Sequence, residues 1–409
     1  MGQAGARPAV WMILVTALLD LMAMGLVMPV LPGLIEDLTG SLAAAGIWTG
    51  AIASLWAVAQ FFAAPVIGAL SDRFGRRPVI LVSTAGLAID WVIMALAPSL
   101  WWLVLGRVIG GVTSASGTAV FAYMADITRP EERTRAFGLV GAAISAGFVA
   151  GPALGGVLGE LGPRVPFWVA AGLSGLAWLY GLVVLKESLP AERRTPFAWR
   201  SASPLGALRL FAGRSGLRGL GTGFFLLTFA HRIFTSVFVL YAGHRHGLGT
   251  LEIGLLLAGS GVLDLVVQGL LVGPAAQRFG DRAVMVFGLL GGAGSLLLMG
   301  LAPSALLFAL AILPNSLWGL AEPTIKSLMS GRVAEDEQGR LQGASQSLAS
   351  LAGILGPVFF GWVYGLSLDG APWLVFAIGA AVLLLAALAT FRVRSNIRSG
   401  PDQQSACPG

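Results

Sequence analysis

Long apolar runs separated by brief polar interruptions occupy almost the whole chain. They lie near residues 9–31, 46–69, 79–97, 101–124, 136–158 and 165–185, and again near 219–241, 251–272, 283–302, 304–328, 341–365 and 372–391. At about 1.5 Å of helical rise per residue, each can cross a hydrocarbon core of roughly 30 Å. The pattern predicts an all-α membrane protein with twelve transmembrane helices. A polar stretch, 186–217, follows the sixth run, which divides the chain into halves at 1–185 and 218–392, a cytoplasmic linker between them, and a polar tail at 393–409. The first run carries Asp20 at its middle and has no convincing small-residue cleavage site, so it reads as a retained helix and not a signal peptide.

The interruptions repeat. Gly68-Ala-Leu-Ser-Asp72-Arg73-Phe-Gly75-Arg76-Arg77-Pro78 separates the second and third runs and is expected to be a short loop at the membrane surface. A fainter copy, from Gly273 to Arg282, follows 205 residues later, and Gly138 with Gly343 and Gly151-Pro152 with Gly356-Pro357 keep the same offset. Three landmarks at one spacing predict two pseudo-symmetric six-helix halves.

Composition places the chain in the bilayer: 56% of residues are apolar and 11% charged. With a cytoplasmic N-terminus, 21 of the 26 Lys and Arg fall in cytoplasmic segments, leaving Arg164 and Arg245 outside and Arg107, Arg232 and Lys326 within helices. This positive-inside bias puts both termini in the cytoplasm and explains the net charge of +6 without a nucleic-acid partner. Arg193, Arg194, Arg200, Arg209, Arg214 and Arg218, with Pro190, Pro196 and Pro204, give the linker a basic face suited to anionic lipid. Cys407 is the single cysteine, which excludes an intramolecular disulfide and a cysteine-based metal cluster. There is no GxxxxGK[ST] loop for a nucleotide, and no cofactor or metal is expected.

Charge inside the apolar runs carries the chemistry. Asp20 and Asp90 fall about 12 and 11 residues into their helices, near mid-membrane. An unpaired carboxylate there is expensive, so it faces a polar cavity, pairs with a cation or takes up a proton. A satisfied structural carboxylate is the plainer alternative. Asp72 with Arg73, Arg76 and Arg77, framed by Gly68 and Gly75, reads as a conformational latch or as a topology anchor. Asp126, followed by Arg129, Glu131, Glu132 and Arg133, is its natural counter-charge. Gly138, Gly147, Gly151, Gly155 and Gly156 let the fifth helix approach its neighbours, and Pro152 breaks its hydrogen-bond ladder. Trp56, Gln60, Phe61, Phe234, Phe238 and Trp318 are candidates to line a path, or else lipid-facing and core residues. Glu322 and Lys326, one turn apart, suggest an interfacial ion pair.

Gly68 to Pro78 resembles the loop signature of the major facilitator superfamily, and Gly138 to Gly156 resembles the helix-five signature of its drug-proton antiporters. Leu18-Leu19-Asp20, Met28-Pro29-Val30-Leu31-Pro32, Ser71 to Val79, Leu105-Gly106-Arg107 and Ala150-Gly151-Pro152 resemble bacterial tetracycline-proton antiporters over nearly the whole chain. The resemblance implies export, with Asp20 and Arg107 in proton coupling and Asp90 in the substrate path. The second half departs from it. Gly292 stands where the antiporters carry a helix-nine acid, and Asp264 stands four residues before Gln268 where they carry a histidine. Asp264 either takes over proton binding or pairs with Arg232, and His231 is expected to be a bystander. The expectation is a bacterial cytoplasmic-membrane protein, working as a monomer, that exchanges protons for tetracycline-like or other amphipathic drugs. An uptake symporter is the alternative on this scaffold. A membrane enzyme would need clustered catalytic or metal-binding residues, whereas two of the three histidines flank Arg245 in an external loop. A non-transporting sensor would bind ligand without flux.

Overall fold

The computed structural model describes residues 3–114, 117–129, 132–194, 209–212, 215–334 and 337–391. Glu131, Pro196, Arg200, Pro204, Arg214 and the tail with Cys407 lie outside the described residues. The first half comprises α1 (Gln3–Val27), α2 (Leu31–Thr39), α3 (Leu42–Phe74), α4 (Arg76–Leu96), α5 (Leu100–Ser114), α6 (Gly117–Ile127), α7 (Arg133–Glu160) and α8 (Val165–Val184). A short α9 (Arg209–Ala212) precedes the second half: α10 (Ser215–His231), α11 (Ile233–Ser236), α12 (Phe238–His246), α13 (Thr250–Val266), α14 (Val272–Phe279), α15 (Asp281–Leu301), α16 (Ala305–Leu310), α17 (Ile312–Asn315), α18 (Ala321–Ser330), α19 (Gln338–Ser367) and α20 (Leu374–Phe391). Among the described residues 11 helices are long and apolar enough to cross a membrane, and a bent run from Gly216 to His246 makes the twelfth.

The repeat is carried by backbone geometry. α4 and α15 are each 21 residues long and begin 205 residues apart, directly after Gly75 and Gly280. These glycines have φ of +104° and +80°, a region where a side chain is strained. The stretch 68–78 is therefore a one-residue corner, not the expected loop. α3 is 33 residues long, about 50 Å at 1.5 Å per residue, so it outruns the hydrocarbon and carries Asp72 in its last turn. Gly75 N–H donates to Ser71 O at 3.1 Å and closes that turn.

Each half packs alike. α1 lies on α7 and α4 on α8, just as α10 lies on α19 and α15 on α20. Between halves, α3 packs on α19 and α7 on α13, two seams that a pseudo-twofold interchanges. Glycine makes them possible. A methyl at Gly50 would fall on Pro357 O, and one at Gly254 on Pro152 O. Of the helix-five glycines, Gly147, Gly151 and Gly155 abut α1, Gly156 abuts α13, and Gly138 faces open space. The seams reach from the end bearing Gly46 and Gly159 as far as Ala57 against Gly353 and Val149 against Gly261. Toward the other end Gly68, Gly141, Gly269 and Gly273 have nothing within 4 Å. The halves meet at one end and stand apart at the end carrying the Gly75 and Gly280 corners.

The second half is the irregular one. Its first span bends by 50° at Val237, its second contains a π-helical turn at Val267–Leu271, and its fourth passes through a 3-10 turn at Ser316–Leu320. Just before that turn the same span breaks at Ala311, where Pro314 has no N–H to give the carbonyl of Leu310.

Candidate functional site

Asp90, on α4, is fully buried, and its Oδ2 accepts from Arg107 Nη2 of α5 at 2.6 Å. The Leu105-Gly106-Arg107 pattern finds its reason here: a methyl at Gly106 would meet Asp90 Oδ1 at 2.8 Å, and one at Gly110 would fall on Oδ2. Arg107 also lies over Trp91, its Cζ 4.6 Å from the ring centre. Arg107 is thus bound to Asp90 and not to Asp20. Asp20 has a buried Oδ1 without a hydrogen-bond partner. It shares a cavity of about 160 Å³ with Asp90, Arg107, Trp56 and Gln60. Gln60 Nε2 donates to Ser114 Oγ at 3.3 Å.

Leu21 and Ile144 separate this cavity from a second, of about 260 Å³, whose walls come from both halves. Its second-half wall holds His231, Phe234, Asp264, Gln268 and Asn315. His231, Asp264, Gln268 and Asn315 also face a third cavity of about 200 Å³, with Arg232, Trp318 and Glu322. Three adjoining cavities, mostly apolar in lining, thus run from Asp20 to Arg232. Asp264 and Gln268 share a face as their spacing requires, both about 3.6 Å from where Gly319 would carry a methyl.

The structure does not pair Asp264 with Arg232. Among the described residues Asp264 has no ion pair, and Arg232 gives one hydrogen bond, Nη2 to Ala349 O at 3.3 Å. His231 packs between Phe234 and Trp318 at 5.5 and 5.3 Å, on the walls of the second and third cavities. Gly292 is filled from outside: a methyl there would meet Trp318 at 3.0 Å and Leu383 at 3.1 Å, so an acid at this position requires both side chains to give way. Phe238 stacks on Phe308 at 5.4 Å in the core, and Phe61 packs edge-on to Phe62 at 5.3 Å; neither forms a wall of these cavities. Glu322 binds Lys326 at 2.6 Å, as the one-turn spacing implies. Asn315 was not singled out by the sequence, although a lone amide after Pro314 in an apolar run is a signal.

The charged corner closes on its own half. Arg76 Nη1 meets Asp72 Oδ1 at 2.5 Å, and Arg76 Nε meets Asp126 Oδ2 at 3.2 Å. Arg77 donates to the carbonyls of Leu182 and Leu185 at the end of α8, and Arg73 lies over Phe74 at 5.0 Å. Glu187, also missed, accepts the Arg76 N–H at 2.8 Å and the Arg77 N–H at 3.3 Å. It stands just past the sixth apolar run, where an acid among arginines marks a cap. The second half keeps half of the device: Arg282 donates to Phe391 O at the end of α20, and Asp281 accepts from Ser327 Oγ at 2.6 Å.

At the opposite end two polar contacts among the described residues cross the halves: Val358 N–H of α19 donates to Ser54 Oγ of α3 at 3.2 Å, and Glu160 Oε1 of α7 accepts from Leu251 N in the first turn of α13 at 3.3 Å. A carboxylate at a helix N-terminus satisfies an orphan donor and the helix dipole together.

Comparison with known proteins agrees with this architecture. The family model described as Major Facilitator Superfamily matches residues 13–269 and 220–406. The class C tetracycline resistance protein of Escherichia coli is 39% identical over 92% of this chain and 95% of its own length. The class G protein of Vibrio anguillarum is 37% identical over 90% and 93%. Among solved structures, the human organic anion transporter MFSD10 (TETRAN) has a TM-score of 0.67 and 27% identity, covering 95% of this chain and 100% of that one. A bacterial homolog of the human lysosomal transporter Spinster, inward-facing and unoccupied, shares the fold at TM-score 0.77, with 18% identity and 96% of each chain covered. With this similarity spanning both halves, the chain belongs to the major facilitator superfamily, within its family of tetracycline resistance proteins.

Proposed function

We propose that this multi-pass membrane protein exports tetracycline-like amphipathic drugs in exchange for protons, by alternating access between halves at 1–185 and 218–392. The observation that carries this is a path of cavities between the halves whose walls hold two carboxylates without ion partners, Asp20 and Asp264. The relatives named for tetracycline resistance supply the substrate class.

Coupling follows from electrostatics. When the halves close over the path, each ionised carboxylate loses water, at a cost of several kcal/mol per ion unless it is neutralised. A proton, or a cationic group on the bound drug, meets that need, so one is exchanged for the other. Asp20 and Asp264 are the proton carriers in this reading, and the Asp90–Arg107 pair is the rigid wall beside Asp20. The positive-inside bias makes the Gly75 and Gly280 corners cytoplasmic. The seams then lie at the external end, and the conformation described is inward-facing. The linker 186–217 rests on anionic lipid, the working unit is the monomer, and the site is the bacterial cytoplasmic membrane.

Everted membrane vesicles test the proposal. An imposed pH gradient, acid inside, should drive tetracycline uptake that a protonophore abolishes, and adding drug should release protons. Absence of drug flux, or flux indifferent to the gradient, would refute it. Topology is checked at Cys407: an impermeant thiol reagent should label it only after cells are opened.

A further inference from the structure

The third cavity holds a buried cation, Arg232, that makes no ion pair among the described residues. Arg232 sits at a turn in the first second-half span, five residues before its bend at Val237, where His231 ends α10 and Ile233 begins α11. α19 is carved to hold its stem: a methyl at Gly356 would meet Arg232 Cβ and Cγ at 2.7 Å, and Gly353 lies beneath the guanidinium at 3.6 Å. The head gives its one bond to Ala349 O, and the buried Nε has no partner. Of the acids on the same cavity, Glu322 is occupied by Lys326 and Asp264 makes no ion pair with Arg232. Two more polar side chains there are at least 95% buried and unsatisfied, Trp318 at Nε1 and Asn315 at Oδ1.

Three irregular spans converge on this spot, supplying Arg232, Gln268 and Trp318 from the α10–α11 turn, the π turn and the 3-10 turn. Broken helices at membrane depth are tolerated where they line a cavity, and such breaks build binding sites. Water can fill hydrogen bonds in the cavity but brings no charge to a buried guanidinium. The guanidinium fork and an indole N–H are both donors, and the fork suits a planar oxyanion. The facing first-half wall of the central cavity is apolar, with Leu21, Met28, Phe148 and Val149.

Building on the efflux reading above, we infer that Arg232, with Trp318 Nε1–H, receives an anionic oxygen on the polar edge of the transported molecule. The preferred substrates are amphipathic ring compounds bearing an acidic enol, phenol or carboxyl group, with their rings against the first-half wall. Arg232 is thus a specificity-determining residue, and Asp20 and Asp264 remain free to carry protons.

The test uses the full chain in detergent, with tetracycline and a matched dye pair: rhodamine 110, which carries a free carboxyl, and rhodamine 123, its methyl ester. Wild-type protein should bind tetracycline and favour the acid over the ester. Arg232→Gln should weaken tetracycline and the acid tenfold or more while leaving the ester within about twofold, consistent with loss of a charge-assisted hydrogen bond. Arg232→Lys should keep part of the preference. Trp318→Phe keeps a ring against Gly292 and removes the N–H, and should weaken the acid two- to fivefold, which covers the case where Arg232→Gln fails to fold. An unchanged acid-to-ester preference in folded Arg232→Gln and in Trp318→Phe overturns the assignment and leaves efflux standing. Failure of the wild-type chain to bind tetracycline or either dye overturns both.

Discussion

Asp90 and Asp264 are both carboxylates within membrane-spanning helices, yet the same change to asparagine should act on them in opposite ways. Asp90 is 0% exposed and Arg107 7%, with 2.6 Å between them. Asp90→Asn leaves a guanidinium buried without its counterion, and breaking such a pair costs about 3–5 kcal/mol. Replacing both partners with apolar residues, Asp90→Leu with Arg107→Met, should recover most of that loss, because neither charge then needs solvation. Asp264 has no ion partner to orphan. Asp264→Asn should therefore shift stability by no more than about 0.5 kcal/mol, while abolishing uphill transport and sparing drug binding. Denaturant unfolding in micelles, followed by tryptophan fluorescence, measures the first effect; pH-gradient-driven uptake into proteoliposomes measures the second. The reasoning fails if Asp264→Asn destabilises as much as Asp90→Asn and adding Arg232→Gln restores stability. That result would make Asp264 the structural partner of Arg232.

Asp72→Asn should cost at most about 1 kcal/mol of stability, since its carboxylate is half exposed, but slow turnover at least tenfold; near-normal turnover in folded protein would leave the corner as a topology anchor. Glu160→Gln weakens the polar contact across the α7–α13 seam, so a cysteine placed at Ser145 should become more reactive from outside; unchanged reactivity removes Glu160 from the gate. Gly292→Asp should not restore coupling to Asp264→Asn, because the added side chain meets Trp318 and Leu383 and costs about 1–3 kcal/mol; recovered pH-driven transport would show that the site can open.

Apolar periodicity and charge placement determined a great deal about this protein. Twelve crossings, a duplication at 205 residues and intramembrane acids at Asp20, Asp90 and Asp264 are each consequences of how costly it is to place charge or unpaired backbone in hydrocarbon. Those constraints act on single residues or single helices, so they are written along the chain. Pairing is different. Whether Arg107 meets Asp20 or Asp90, and whether Arg232 meets Asp264, depends on how helices rotate against each other, which glycines at 106, 110, 353 and 356 set by removing bulk on particular faces. The corner at Gly75 reads as a loop in sequence because its residues are polar; only its positive φ shows that the helices run up to it from both sides. The irregular turns at Val237, Val267–Leu271 and Ser316–Leu320 were likewise hidden, since apolar residues surround them. The three spans that carry those turns bring Arg232, Asp264, and Asn315 with Trp318, from distant parts of the sequence, around one cavity. Tertiary packing alone decided that meeting, because a contact across three spans is a property of their relative positions and not of any one of them.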